Sequence, residues 1–248
     1  PKWVLGYSDT STWMLALTLR LGWATVHGPC LMDLVPGQDD TLSRHALTPL
    51  QLPPDHVLRQ RQSRAWQKHW SDFATAPQSL YALTEPTRWR SLQDRPREAF
   101  DGRLFGGCLD TLVHTAGTPH GDGAGFIQRH RTEGVILYLE NAEGSPGDVV
   151  RAFHRLRWAG WLDGLSGVLL GRSAAPDTTG EHELRYGQAL LDSFGTLPCP
   201  VLADVDIGHL PPQLVLVNGA HAQVRWSTDV LDGQGSRWGG GEITQRLD

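Results

Sequence analysis

Cysteine is scarce in this sequence, and its placement excludes two classes of protein. The chain has three cysteines, Cys30, Cys108 and Cys199, and no CxxC pair. An odd number of widely separated cysteines does not suit the disulfide framework of a small secreted domain or the spacing of a structural zinc site. Unpaired thiols are typical of a reducing compartment, so we expect a cytoplasmic protein.

Long hydrophobic runs and an excess of basic charge are also absent. The longest apolar runs, such as residues 135–139, are far shorter than the roughly 20 residues that a helix needs to cross a bilayer. The formal net charge is -5 and the sequence pI is about 6.1. Binding to nucleic acid or to an anionic membrane surface favours the opposite balance. We therefore expect neither as a partner.

Motifs for metals and nucleotide phosphates are missing as well. No HExxH occurs, no His and Cys residues show zinc-finger spacing, and no glycine-rich segment is followed by Gly-Lys-Ser/Thr. The sequence therefore predicts no metal and no cofactor.

The most informative stretch that is present is residues 6–10, GYSDT. A short apolar run precedes it, and a periodic segment over residues 11–21 predicts a helix after it. A serine at a sharp turn from a strand into a helix presents an exposed, nucleophilic hydroxyl. The Gly-x-Ser-x-Gly signature of such turns is half met, because Thr10 replaces the second glycine. Ser8 is the candidate nucleophile, and a plain helix N-cap is the alternative.

Alternating apolar strands and helical segments predict an α/β fold in two parts. A strand over residues 24–26 follows the first helix, which gives a strand–helix–strand unit of a parallel sheet. We place the first part over residues 1–60, a linker and substrate loop over residues 61–94, and the second part over residues 95–248. The elements predicted in the second part include strands over residues 135–140, 167–171 and 201–205 and helices over residues 109–114, 149–159 and 184–194.

The end of the chain is predicted to close the second part. Residues 213–217 and 222–226 read as an antiparallel pair joined at Asn218-Gly219. Within the helix over residues 149–159, Val150, Phe153, Leu156 and Trp158 are predicted to share a buried face. The glycine-rich residues 235–241 are predicted to form a turn between end strands.

Two further polar residues follow predicted strands. Glu140 ends the apolar strand that starts at residue 135, and His209 follows the strand over residues 201–205 and precedes two prolines. A serine nucleophile needs a base within hydrogen-bond reach and a carboxylate that orients the base. The chain order Ser8, Glu140, His209 is that of the α/β-hydrolases. The alternatives are a loop hydrogen bond for Glu140 and a surface position for His209.

Trp89 differs from the other tryptophans because it lies in a polar, proline-marked loop over residues 84–90. An aromatic side chain in such a loop can stack on a ring of a ligand. It can equally hold the loop against one domain, and the sequence leaves both roles open.

Four ordered segments resemble the LD-carboxypeptidase family of serine peptidases. The resemblance covers essentially the whole chain. The segments are residues 2–11 with 25–29 (KWVLGYSDTS and TVHGP), residues 102–108 (GRLFGGC), residues 136–141 (ILYLEN) and residues 205–209 (VDIGH). Residues 7–13, 84–90 and 171–175 are most similar to the branch of microcin C self-immunity proteins.

The resemblance implies a role for each matched residue. Ser8 corresponds to the nucleophile, His209 to the general base and Glu140 to the carboxylate that orients it. The backbone N–H of Asp9 corresponds to one oxyanion donor, and Trp89 to an aromatic side chain that stacks on a nucleotide base. The glycine pair Gly106 and Gly107 corresponds to a substrate-binding segment.

The resemblance also implies an activity and a fold. The implied activity is cleavage of an amide between an aminoacyl or peptidyl group and a nucleotide, by a cofactor-free homodimer. A muropeptide LD-carboxypeptidase or an inactive ligand-binding member are the alternatives. The implied fold is the remainder of a mostly parallel, flavodoxin-like sheet domain followed by a mixed-sheet α/β domain. Family members carry a further segment before the nucleophile strand, and we expect that segment to supply a second oxyanion donor.

Overall fold

The structure is a computed structural model that describes residues 2–53, 55–69, 74–231 and 237–247. The helices are α1 (Ser11–Leu21), α2 (Thr41–Arg44), α3 (Leu109–Thr115), α4 (Gly123–Arg129), α5 (Pro146–Trp158) and α6 (Tyr186–Asp192). The strands are β1 (Leu5–Gly6), β2 (Thr25–His27), β3 (His56–Arg61), β4 (Ala65–Trp66), β5 (Glu85–Pro86), β6 (Arg90–Ser91), β7 (Arg97–Cys108), β8 (Val135–Glu140), β9 (Gly167–Gly171), β10 (Val201–Val205), β11 (Leu216–Asn218), β12 (His221–Leu231) and β13 (Arg237–Leu247).

The larger sheet has eight strands in the order β3-β13-β12-β7-β8-β9-β10-β6. Its centre, β7 to β10, is parallel, and the strands on both flanks are antiparallel. Every residue of β8 and β9 is buried, which explains why these strands read as continuous apolar runs rather than as alternating patterns. The carboxyl ends of the parallel strands share one edge, where ligands of α/β proteins bind.

Helix α5 shows how its sequence determines where a helix begins and which residues pack on this sheet. Ser145 and Asp148 form a reciprocal capping box, and Pro146 occupies the first turn. Val149 and Phe153 are buried, in the same apolar cluster as residues of strands β8 and β9. The predicted burial of Trp158 is wrong, because its side chain is 81% exposed.

The smaller sheet has the order β1-β2-β11, with β1 parallel and β11 antiparallel to β2. Helix α1 connects β1 to β2 and ends at Gly22, which adopts the left-handed conformation expected at a helix C-terminus. Asn218, at the end of β11, joins the two sheets. Its side chain accepts hydrogen bonds from the Gly106 amide and the Tyr138 hydroxyl and donates to Thr25 Oγ1.

The predicted hairpin around Asn218-Gly219 is wrong. Strand β11 pairs with β2, whereas β12 pairs with β7 and β13. An Asn-Gly pair predicts only a local turn. Here the turn connects β11 of the smaller sheet to β12 of the larger one. The predicted terminal turn is also wrong over residues 237–241, which are part of β13. Its first two residues lie outside the described part of the chain.

The predicted α/β fold is confirmed. Strands from different predicted parts of the chain nevertheless pair within the same sheet. Strand β3 falls mostly in the first predicted part, yet it forms an edge of the larger sheet. Strand β11 falls in the second part, yet it belongs to the sheet of β1. Strand β6 lies in the predicted linker and pairs with β10. Strand partners are therefore non-local and are not encoded by segment order.

Candidate active site

Ser8 lies on a strained turn directly after β1. Its φ angle is 59°, and it begins a short 3-10 helix, Ser8–Thr10, that runs into α1. A non-glycine residue in this region is uncommon and is a feature of strand-to-helix turns that carry a nucleophile. Gly6 is required because a Cβ there would lie 2.7 Å from Thr10 Oγ1. The Thr10 hydroxyl donates to the Tyr7 carbonyl, so threonine completes the turn in place of the second glycine.

The structure brings Ser8, His209 and Glu140 together. His209 Nε2 lies 3.0 Å from Ser8 Oγ, and His209 Nδ1 lies 2.8 Å from Glu140 Oε2. A carboxylate only accepts hydrogen bonds, so Nδ1 carries the proton and Nε2 accepts from the serine hydroxyl. The Glu140 side chain is fully buried, whereas that of His209 is 19% exposed.

Glycines make room for the Glu140 side chain. Gly208 has a φ of 97°, and a Cβ there would lie 2.5 Å from Glu140 Oε2. A Cβ on Gly171, at the end of β9, would lie 2.9 Å from Glu140 Cβ and 2.3 Å from the Ile207 carbonyl oxygen. The carboxylate therefore reaches His209 only because two neighbouring positions lack side chains.

Glu140 also sets the protonation of His209. Burial alone lowers the pKa of His209, but the hydrogen bond and the negative charge of Glu140 outweigh it and raise that pKa. Asp110 and Asp33 add to the rise through their charges. A raised pKa makes the imidazole a stronger base once it is neutral.

Aromatic side chains lie next to the imidazole of His209. The Tyr7 ring contacts the His209 ring edge to face, with centroids 4.8 Å apart. Behind it lies His27, at the end of β2, which is fully buried and contacts the rings of Tyr7 and Tyr138. Burial lowers the pKa of His27 to about 4, so this imidazole is neutral near pH 7.

Asp110 braces the loop that follows Glu140, a role the sequence prediction missed. Its carboxylate accepts hydrogen bonds from the backbone amides of Ala142, Glu143 and Gly144. Burial opposes ionisation, but the hydrogen bonds from the Ala142 and Glu143 amides hold the pKa of Asp110 below its ordinary value. Asp110 follows the glycine-rich end of β7, but nothing local in the sequence links it to the loop after Glu140, about thirty residues later.

The contacts of Trp89 in this structure fit the second of its two predicted roles, which is to hold the loop against one domain; stacking on a ligand ring stays a prediction. The Trp89 side chain is 2% exposed, and Nε1 donates to Asp206 Oδ2 at 2.9 Å. Its ring packs so closely on Gly241 that a Cβ there would lie 2.0 Å from it. The indole therefore holds the loop against the larger sheet, and no ring face is left for a ligand.

Gly106 and Gly107, predicted to bind substrate, are buried within β7. A Cβ on Gly106 would overlap the Tyr138 carbonyl, and one on Gly107 would lie 2.7 Å from Ser11 Cβ. The structure thus gives both glycines a packing role. Asp9 follows Ser8 in the 3-10 helix, where backbone amides at a helix start have no intrahelical partner. Its role as an oxyanion donor stays a prediction.

Within the described ranges, no group of at least three His, Cys, Asp or Glu side chains could hold a metal ion. Over the same part of the chain, no helix has the length and apolar character to span a membrane.

Residues 101–224, which include Glu140 and His209, match the model of the LD-carboxypeptidase C-terminal domain. The chain belongs to the LD-carboxypeptidase family. A putative carboxypeptidase of Streptomyces coelicolor is 29% identical over 237 residues, which cover 93% of this chain and 62% of that protein. A probable murein peptide carboxypeptidase of Bacillus subtilis is 29% identical over 224 residues, covering 90% and 59%. The microcin C7 self-immunity protein MccF of Escherichia coli is 24% identical over 243 residues, covering 88% and 61%.

Solved structures show the same fold at lower identity. An MccF-like protein of Streptococcus pneumoniae in complex with AMP superposes with a TM-score of 0.69 at 22% identity, covering 99% of this chain and 70% of that one. MccF in complex with aspartyl sulfamoyl adenosine gives a TM-score of 0.72 at 20% identity, covering 100% and 68%. The chain thus spans about three fifths of the length of its relatives from Streptomyces, Bacillus and Escherichia.

Proposed function

We propose that this chain carries the catalytic triad of a serine hydrolase that cleaves an amide bond next to a C-terminal acyl group. The observation that supports it is the continuous set of hydrogen bonds from Ser8 Oγ to His209 and on to Glu140. The left-handed φ of Ser8 and the raised pKa of His209 also support the proposal, because they suit a nucleophile on a sharp turn and a base paired with a carboxylate.

In the proposed reaction Ser8 Oγ attacks the carbonyl carbon while His209 Nε2 takes its proton. Glu140 stabilises the imidazolium through Nδ1–H, and the negative charge on the substrate oxygen develops beside the amide of Asp9 at the helix start. His209 then gives the proton to the leaving amine, which leaves an acyl-enzyme on Ser8. Water, deprotonated by His209, releases the acid and restores the serine.

An aminoacyl or peptidyl nucleotide is the substrate that we propose for this site. Similarity to MccF and to an MccF-like protein solved with AMP supports this choice. MccF has also been solved with aspartyl sulfamoyl adenosine and with glutamyl sulfamoyl guanosine, which are acyl groups on nucleosides.

A murein-type tetrapeptide is the second candidate, and the burial of Trp89 favours it. A nucleotide gains affinity from an exposed ring on which its base can stack, and Trp89 offers none. The murein peptide carboxypeptidase of Bacillus subtilis is also a relative at 29% identity.

Two measurements test the proposal. The first compares release of aspartate from an amide-linked aspartyl-adenylate analogue with release of the terminal D-amino acid from a murein tetrapeptide. We expect the first to have the higher kcat/KM, and the reverse order would select the second candidate. The second repeats the assay with Ser8→Ala and labels both proteins with a serine-reactive phosphonate. Equal turnover by the wild-type protein and Ser8→Ala, or equal rates of labelling of these two proteins, would refute the triad.

A further inference from the structure

The segment that carries His209 has no regular secondary structure. Residues 206–212 leave the end of β10 and run without a helix or strand toward β11. A base held within hydrogen-bond distance of its nucleophile must be fixed to a fraction of an ångström. An irregular segment reaches that accuracy only if other groups hold its backbone.

Arg172, the residue after β9, holds this segment on both sides of His209. Its guanidinium donates to the Asp206 carboxylate at 2.8 Å, and Nη2 donates to the Leu210 and Pro212 carbonyls at 3.2 Å each. These partners precede and follow His209 in the chain. The Trp66 ring lies 5.2 Å from the guanidinium carbon, which places an aromatic face against the cation.

The Asp206 carboxylate is in turn held by four donors. Its Oδ1 accepts from Ser63 Oγ at 2.6 Å as well as from Arg172. Its Oδ2 accepts from the Ser63 amide at 3.1 Å and from Trp89 Nε1 at 2.9 Å. Both members of the Arg172–Asp206 ion pair are buried, with side chains 5% and 0% exposed.

We propose that Arg172, fixed by Asp206 and Trp89, is a positioning residue that sets the place of the His209 imidazole between Ser8 and Glu140. This inference rests on the proposed function, since it concerns the base of that reaction. It gives the predicted substrate loop a different task, because Ser63, Trp66 and Trp89 all support the segment that carries the base.

Stability alone does not account for this arrangement. A buried ion pair contributes little net stability compared with well-packed apolar residues, because both charges lose their hydration. The planar guanidinium does, however, bind three oxygens in a fixed geometry that no apolar side chain can supply. Directional bonds to both ends of one loop are a device for placing that loop.

The test is Arg172→Lys, which keeps the charge and removes the planar fork. We expect kcat to fall about a hundredfold with little change in KM, because a displacement near 1 Å has that cost.

We also expect the pKa of His209 to fall, because the contact with Glu140 loosens while burial persists. The pKa is followed by NMR of histidine-labelled protein, with the signal assigned from His209→Gln. The titratable groups around His209 that the substitution leaves unchanged are Glu140, Asp110, Asp33, His27 and Tyr7.

Arg90→Lys is the matched control. Arg90 forms an ion pair with Asp204 at 2.6 Å close to the same segment, but its side chain is 41% exposed. An exposed pair contributes little, so kcat and the His209 titration should equal those of the wild type. Trp89→Phe is the milder second variant, which removes one donor from Asp206 and should lower kcat by about threefold to tenfold.

Wild-type kcat and an unchanged His209 titration in folded Arg172→Lys would overturn the proposal. If Arg172→Lys fails to fold, the same result in Trp89→Phe would overturn it. The titration does not depend on turnover. If the wild-type protein cleaves neither substrate, the proposed function fails while a shifted His209 pKa in the variants still supports the positioning role.

Discussion

His209 Nε2 lies 3.0 Å from Ser8 Oγ, although the two residues are separated by 201 positions in the chain. Ser8 follows a strand of the smaller sheet and His209 follows a strand of the larger one. The contact thus depends on the packing of two sheets, and single substitutions can perturb each part of that arrangement separately.

Replacement of Ser8 should separate chemistry from backbone strain. Ser8→Ala and Ser8→Gly both remove the hydroxyl, so each should lower kcat at least about a thousandfold. Glycine adopts a φ of 59° without a Cβ penalty, so Ser8→Gly should be more stable than Ser8→Ala by about 1–2 kcal/mol. Urea denaturation measures this difference. Equal stability of the two variants would show that the turn is not strained.

The pH dependence of kcat/KM should have an acidic limb that reports the pKa of His209. The neutral imidazole is the active form, so kcat/KM should rise with pH through a pKa above the ordinary histidine value. Glu140→Gln removes the charge that raises this pKa while burial remains. The limb should therefore move to lower pH and the plateau rate should fall. A pH–rate profile of both proteins is the check, and an unmoved limb in Glu140→Gln would assign the titration to another group.

The same pKa has a consequence for stability. The folded-state pKa of His209 is raised, so its protonated form is stabilised by folding. That contribution is fully present below the unfolded pKa and is lost as the pH rises through the folded value. The unfolding free energy of the wild type minus that of His209→Gln should show this decline.

His27 should act in the opposite direction. Its folded-state pKa is lowered to about 4, so it contributes stability that is present above the unfolded pKa and is lost as the pH falls toward the folded one. The loss from this group should be about 3 kcal/mol between pH 7 and pH 4. His27→Phe carries no titrating group, and its urea midpoint should fall less over that range. Parallel curves for both proteins would contradict the assignment.

Gly208 should be intolerant of any side chain. Gly208→Ala combines a positive φ with a Cβ placed 2.5 Å from Glu140 Oε2. We expect a destabilisation of about 3 kcal/mol or more, together with a large loss of kcat as the carboxylate is displaced. Gly22→Ala is the matched control, since Gly22 has a φ of 64° and a Cβ at this position would meet nothing within 4 Å. It should cost only about 1–2 kcal/mol and leave kcat unchanged. Equal effects of the two would mean that contact with Glu140 is unimportant.

The three residues of the proposed triad could be singled out because each lies at or just after the end of an apolar strand, which is a local signal. Ser8, Glu140 and His209 lie after β1, at the end of β8 and after β10. Their catalytic roles stay a proposal. The α/β class was predictable for the same reason, because the hydrophobic periodicity of a strand or a helix can be recognised within a short segment of sequence.

The choice between the two predicted roles of Trp89 could not be made from the sequence. Its partner Asp206 is 117 positions away, and a polar, proline-marked loop reads as exposed unless the buried carboxylate beneath it is known. The hairpin error has a similar origin. An Asn-Gly pair predicts a tight turn, but the competing partners of β11, residues 25–27, are almost 200 positions earlier.

The Asn218 side chain limits how far the two sheets can move apart when a ligand binds. One side chain bonds β2, β7 and β8 at once, within the protein interior. The bond to Thr25 lies within the smaller sheet, whereas hinge-like separation of the two sheets would break the buried bonds to Gly106 and Tyr138 together. We therefore expect the distance between Ser8 and His209 to change little when a substrate binds, so that surface loops accommodate substrates of different size.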